Sequence, residues 1–212
     1  MPVDHRLPQR PDQIVQVDDW ELDEDFPIMP QGAKPKRVVI CPNPAPHPFL
    51  IGGHRYVFKE PNGSREQQIW SEALAYEVAR TLGVPVPAAF IAYHNRDKSC
   101  GILIEFFYGH QWDQPKRFVH AIELFQGRGI AVDTHCGSLR DNIRLSRTYS
   151  VPNWKDWWGR TIVFDALIGN TDRHSENWGF LVDQTDPAVA KYALAPVFDN
   201  GTSLGFIVRD AD

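Results

Sequence analysis

The residues best suited to chemistry lie near the end of the chain. In Asn170-Thr171-Asp172-Arg173-His174-Ser175-Glu176-Asn177, an aspartate is followed five positions later by an asparagine, directly after an apolar stretch. Phosphoryl transfer to a hydroxyl needs a carboxylate that accepts the hydroxyl's proton and oxygen ligands that hold magnesium. An Asp-x-x-x-x-Asn spacing supplies both. The same residue types also serve a helix C-cap turn, in which short polar side chains hydrogen-bond the backbone. The next stretch of chain weighs between the two. Trp178–Val182 and Lys191–Phe198 read as a hairpin turning near residue 187, so Asn177 before one strand and Asp199 after the other fall side by side. Two oxygen ligands of magnesium type at one end of a ribbon favour the metal reading.

Upstream, Lys59 ends a β-type run, and Glu72 shares a helix face with Ile69, Tyr76 and Ala79. A carboxylate on a mostly apolar face needs a cation if it is buried. A strand lysine paired with a helix glutamate can hold phosphates. A snorkelling lysine and an exposed glutamate form the alternative, which loses ground beside the downstream motif.

These residues need elements to hold them. The apolar runs predict strands near 36–41 and 54–59. Ser64 to Gln67 reads as a capping box opening a helix with Ile69, Trp70, Ala73, Leu74, Val78 and Leu82 at its apolar positions. Gly83 closes that helix, and Pro85 and Pro87 stop it from continuing. Ala88–Tyr93 and Gly101–Phe107 form a hairpin about a polar turn at 95–98. Arg117–Gln126 and Trp154–Ile168 read as helices, with Trp154, Trp157 and Trp158 as core aromatics of the second, whereas 127–150 shows no clear pattern. The fold class expected is α+β with two lobes. Its divisions are an acidic segment 1–30, a sheet-rich lobe 31–108 and a helical lobe 109–212.

Composition excludes several alternatives. With 22 basic against 27 acidic residues and a net charge of −5, no broad nucleic-acid footprint is expected. Six of the eight residues from Asp18 to Asp25 are acidic, which predicts a solvated tail or an edge segment. Cys41, Cys100 and Cys136 form no Cys-x-x-Cys pair, and His110, His120 and His135 lack zinc spacing, so neither a disulfide framework nor structural zinc fits. The longest apolar run, Ala88–Tyr93, is too short to span a membrane. The start of the chain lacks the apolar core of a signal peptide, so a cytoplasmic protein is expected.

The block at 168–177, together with Leu194-Ala195-Pro196-Val197-Phe198-Asp199, resembles the catalytic signature of HipA-type serine/threonine kinases. Gly32-Ala33-Lys34-Pro35-Lys36 is similar to that family's phosphate-loop segment, and Ile104-Glu105-Phe106-Phe107 to its hinge strand. Ser71-Glu72 and the run from Leu82 to Pro87 match as well, and all matches keep family order from about residue 31 to 204. The resemblance implies a bilobal kinase fold with Mg-ATP between the lobes. Gly32 and Lys36 would belong to the phosphate loop, Lys59 would hold phosphate, and Glu72 would orient Lys59. Backbone at Glu105 and Phe107 would bind adenine. Asp172 would be the catalytic base, with Asn177 and Asp199 as magnesium ligands. It also implies an antitoxin-type partner and a protein serine or threonine as phosphate acceptor. Two departures stand out. Gln31 replaces the serine that family members can autophosphorylate, and the chain ends 13 residues after Asp199, where they continue into further helices. A reduced lower lobe is therefore expected, and with it a competing reading as a non-catalytic, pseudokinase-like regulator. Asn170-Thr171-Asp172-Arg173 also looks like the catalytic loop of type II phosphatidylinositol 4-kinases. The lack of a cysteine-rich palmitoylation cluster and of a basic amphipathic stretch counts against a lipid acceptor.

Overall fold

The computed structural model describes residues 6–23, 36–60, 63, 66–110, 116–129, 138–183, 185–186 and 189–205. Ser64, Gly32 and the rest of the expected phosphate loop up to Pro35 lie outside them, as do His135 and Cys136. The chain divides into two compact units, residues 1–106 with 200–212 and residues 107–199. Residues from Asn200 onward thus group with the first unit, whereas the sequence reading places them with 109–199. Among the described residues, no helix is long and apolar enough to cross a membrane.

In the first unit, β3 (Lys36–Ile40), β4 (Arg55–Lys59), β5 (Ala89–His94) and β6 (Ser99–Glu105) make the antiparallel centre of a sheet. Two short strands border it: β1 (Val15–Gln16) runs parallel to β5, and β2 (Glu21–Leu22) antiparallel to β3. Alternation in β4 sends Tyr56 and Phe58 into the core and leaves Arg55, Val57 and Lys59 half-buried. The described part of the acid-rich stretch, up to Asp23, is an edge of this sheet. Trp20 is buried against Tyr56, with ring centroids 5.8 Å apart, and Asp23 pairs with Arg55. Asp18 accepts from the Asn95 and Arg96 amides, both at 3.0 Å. Those hydrogen bonds, the Asn95 amide first, hold its carboxyl down to about 2.

Helix α1 (Gln68–Leu82) follows β4, with Gly83 closing it in a left-handed conformation at φ +66°. It begins later than the sequence predicts. Its N-cap is Gln67, which makes no side-chain capping bond. Its rotation differs as well. Ile69, Ser71, Glu72, Ala75, Tyr76 and Ala79 are buried, whereas Trp70 and Leu74 are 60% and 52% exposed. Polar partners for Ser71 and Glu72 inside this unit decide which face turns inward.

In the second unit, β7 (Lys116–His120), β8 (Gly179–Asp183) and β9 (Lys191–Leu194) form an antiparallel sheet. The helix expected over 117–126 is confined to α2 (Ala121–Gln126). Lys116–His120 pair instead with Asp183–Gly179, and the absence of a side chain at Gly179 lets β7 approach closely. Helix α3 (Leu139–Thr148) lies in the stretch that shows no pattern in sequence, and α4 covers Trp154–Ile168. Trp158, Trp178 and Phe180 are buried in this unit's core with Leu145 and Val151. The Trp158 indole donates to Ser146 Oγ at 3.1 Å, and the Trp157 indole to the Ala195 carbonyl at 3.0 Å.

Candidate active site

The loop after α4 is built around its own polar side chains. Gly169 ends α4 with φ +65°, and Asn170 turns back on Asp165, its amide donating to the Asp165 carbonyl at 2.8 Å. Asn170 Oδ1 accepts from the Asp172 amide at 3.1 Å, an Asx turn that sets the direction of the next residues. The Asp172 side chain is 41% exposed, open enough to meet an incoming hydroxyl. Asn177 Nδ2 donates to the Asp172 carbonyl at 2.7 Å, so the aspartate and the asparagine five residues on are tied directly. The Asn177 amide also donates to the His174 carbonyl at 2.9 Å. His174 Nε2 lies 3.5 Å from Asp172 Oδ1, and His174 Nδ1 accepts from the Glu176 amide at 3.3 Å, so the histidine shapes the loop from inside.

Arg173 fastens this loop to its surroundings. Its guanidinium grips Asp165 of α4 through two bonds, 2.8 Å and 3.1 Å. Its Nη1 donates to the Asn177 carbonyl at 2.9 Å and also to the Phe198 carbonyl. One nitrogen thus joins Asn177, ahead of β8, to the residue before Asp199. Asp199 itself adopts φ +58°, a left-handed conformation that aspartate tolerates better than most residues. Asn177 and Asp199 offer hard oxygen donors of the kind magnesium takes.

In the first unit, Lys59 Nζ donates to Glu72 Oε1 at 3.1 Å, and both side chains are largely buried. The other carboxylate oxygen of Glu72 accepts from the Asn200 amide at 3.1 Å. Ser71 Oγ donates to the Ser203 carbonyl at 2.9 Å, and Ser203 Oγ to the Asn200 carbonyl at 2.6 Å. The segment directly after Asp199 is therefore clasped to α1 by Ser71 and Glu72. Lys36 stands opposite Lys59 in the β3–β4 register, so the two lysines rise from the same face of the sheet.

Glu105 ends β6. Its amide donates to the Ala88 carbonyl at 2.8 Å, and its carboxylate, buried, pairs with Arg6. Next to it, the Phe106 amide donates to the Arg55 carbonyl at 3.0 Å, and His54 Nε2 donates to the Phe106 carbonyl at 2.7 Å. Phe107 opens the second unit and contributes a ring to an aromatic cluster. It stacks on Phe198 at 5.6 Å and meets Phe118 edge-on at 5.3 Å. Sequence reasoning assigns no role to Asp165, Arg173, Ser71, Asn200 or Arg6. Asp165 carries a visible signal as the lone acid in an apolar helical run, and Ser71 and Arg173 carry one as members of the matched family motifs.

The chain is similar to known proteins along most of its length. It is 26% identical over 136 residues to the serine/threonine-protein kinase CtkA of Helicobacter pylori strain J99, a match covering 64% of this chain and 40% of that protein. The crystal structure of the Helicobacter pylori proinflammatory kinase CtkA superimposes with a TM-score of 0.71 at 21% identity, covering 91% of this chain and 61% of that one. HipA of Shewanella oneidensis MR-1, solved with HipB and operator DNA, gives 0.48 at 18% identity over 84% of this chain and 44% of its own. The chain thus has the α+β, kinase-like fold of CtkA and spans under two thirds of the length of each relative. The model of the HipA-like C-terminal domain matches residues 28–207, and the chain belongs to that family.

Proposed function

We propose that the chain moves the γ-phosphate of Mg-ATP to a serine or threonine hydroxyl of a protein. The observation that supports this most is the loop in which Asn177 is hydrogen-bonded to Asp172 while Arg173 joins Asn177 to Phe198, the residue before Asp199. In this reading Asp172 accepts the proton of the attacking hydroxyl and aligns it. Asn177 and Asp199 hold magnesium, which when bound neutralises charge on the phosphate oxygens. Lys59, kept in place by Glu72, and Lys36 beside it attract the phosphates, and Gly32 belongs to the same proposal through the family's phosphate-loop segment. Backbone at Glu105 and Phe107 receives adenine. An antitoxin-type protein partner belongs to the same proposal through the family.

Labelled ATP and magnesium test the reading with two acceptors, a heat-treated whole-cell protein extract and phosphoinositide vesicles. Label is expected on protein serine or threonine. Asp172→Ala should lower the rate by at least about 100-fold while nucleotide still binds. Full turnover in Asp172→Ala overturns the base assignment, and label confined to the vesicles overturns the protein acceptor.

A further inference from the structure

One cluster in the first unit carries chemistry that the phosphotransfer reading does not use. Glu60 follows β4, His94 ends β5, and Asp97 stands in the turn between β5 and β6. Each offers one ligand atom, and the three atoms lie within 4.8 Å of one another. His94 faces Ser99 across the hairpin, and Asp18 holds the turn between them by accepting from the Asn95 and Arg96 amides. Asp97 follows directly in a turn that is already fixed. The imidazole and Glu60 are largely buried, whereas Asp97 is exposed and leaves the cluster open to solvent.

The donors suit a divalent ion of borderline character. An imidazole nitrogen favours zinc, and carboxylate oxygens complete its shell. His94 Nδ1 lies 2.9 Å from Asp97 Oδ2. Neighbouring ligands on a zinc ion stand about 3.0–3.4 Å apart when its bonds are about 2.1 Å long, so this pair needs little movement. Ser99 Oγ donates to Glu60 Oε1 at 2.5 Å, the kind of hydrogen bond that orients a ligating carboxylate from outside. The two carboxylates already share a cation. Arg37 Nη2 pairs with Glu60 Oε2 and lies 3.6 Å from Asp97 Oδ2. Among the described residues its guanidinium makes no hydrogen bond with His94, so it serves two of the three groups. A zinc ion serves all three. Arg37 also has a second seat, since its guanidinium stands over the Phe58 ring, 5.4 Å from the centroid. Spacing rules for zinc miss this set because it holds a single histidine and no cysteine, and Glu60 reaches it from another strand.

We propose that Glu60, His94 and Asp97 form a zinc site, in which the ion takes the place of the Arg37 guanidinium between the two carboxylates and ties the β5–β6 turn to the end of β4. The site is independent of phosphotransfer and is tested by binding. The full chain, stripped of metal with a chelator, is titrated with zinc chloride by calorimetry, and in parallel with magnesium and calcium chloride. One zinc equivalent is expected that an excess of magnesium or calcium does not displace. His94→Gln and Asp97→Asn should each weaken that equivalent at least about tenfold. Arg37→Gln should tighten it at least about threefold, because a competing positive charge is gone. Asp199→Asn should retain it, which separates it from the magnesium-type ligands of the second unit. Loading with cobalt(II) gives a second readout, visible absorption bands that change in His94→Gln as the imidazole nitrogen leaves the shell. Asp97 lies in an exposed turn, so Asp97→Asn tests the site even where His94→Gln disturbs the strand, and near-UV circular dichroism verifies the fold of each variant. The proposal is overturned if zinc does not bind, if magnesium or calcium competes equally, if His94→Gln and Asp97→Asn bind zinc like the parent, or if Arg37→Gln binds it no more tightly.

Discussion

Arg173 is enclosed by acceptors, and removing it affects two things at once. Its side chain is 9% exposed and that of its partner Asp165 is 13% exposed, so neither charge has much access to water. Arg173→Ala leaves Asp165 as a buried carboxylate without its counterion and frees the carbonyls of Asn177 and Phe198. A loss of about 3–5 kcal/mol is expected, read from the urea midpoint. Asp165→Ala together with Arg173→Ala should cost less than the sum of the two single changes, with a coupling of at least about 1 kcal/mol. Strict additivity would show that the pair does not act as a unit. The sequence shows half of this arrangement. One acid among Ile162, Val163, Phe164, Ala166, Leu167 and Ile168 signals a need for a cation, but its partner lies across a turn that no spacing rule specifies. Ser71 and Asn200 are less legible still. Ser71 gains its role from Ser203, 132 residues away, and the Asn200 contribution is a backbone amide.

Between elements, the clearest contrast is between two glycines. A Cβ at Gly179 would run into the Val119 carbonyl and come within 2.8 Å of the Phe118 ring, pushing β7 away from β8. Gly159 lies within α4, where a Cβ meets nothing within 4 Å. Gly179→Ala should therefore destabilise by about 1–3 kcal/mol through overpacking. Gly159→Ala should stabilise by up to about 1 kcal/mol, because alanine suits a helix interior. Thermal midpoints of the two variants should move in opposite directions, and a Gly179→Ala midpoint at or above that of the parent would contradict the strand pairing. The close approach at Gly179 also explains why 117–126 misleads as a sequence. Phe118 and Val119 fit either state locally, and a partner strand far along the chain decides between them. Helix α4 is legible because Gly169 closes a long aromatic and aliphatic run. Helix α3 is not, since its three arginines and other polar residues leave a thin apolar stripe. The rotation of α1 runs against hydrophobicity, with Ser71 and Glu72 inside and Trp70 and Leu74 outside, because specific partners outweigh apolar count.

For the whole molecule, the proposed phosphotransfer predicts that the folded chain binds nucleotide. Mg-ATP should raise the thermal midpoint by mass action, about 2.7 kcal/mol at a hundredfold excess over Kd. Lys59→Met in the first unit and Asp199→Asn in the second should each remove most of that rise. A full rise in either variant would remove that residue from the nucleotide site. The path of the chain carries one further consequence. It leaves the first unit after Phe106 and returns at Asn200, so the second unit is an insert in its host, spliced in at two peptide bonds. Residues 6 and 205 both belong to the host. Tension applied at those two points is therefore borne by the host first and reaches the insert only once the host gives way. Under mechanical load the loop at 170–177 is sheltered by topology alone, whatever the relative stabilities of the two units.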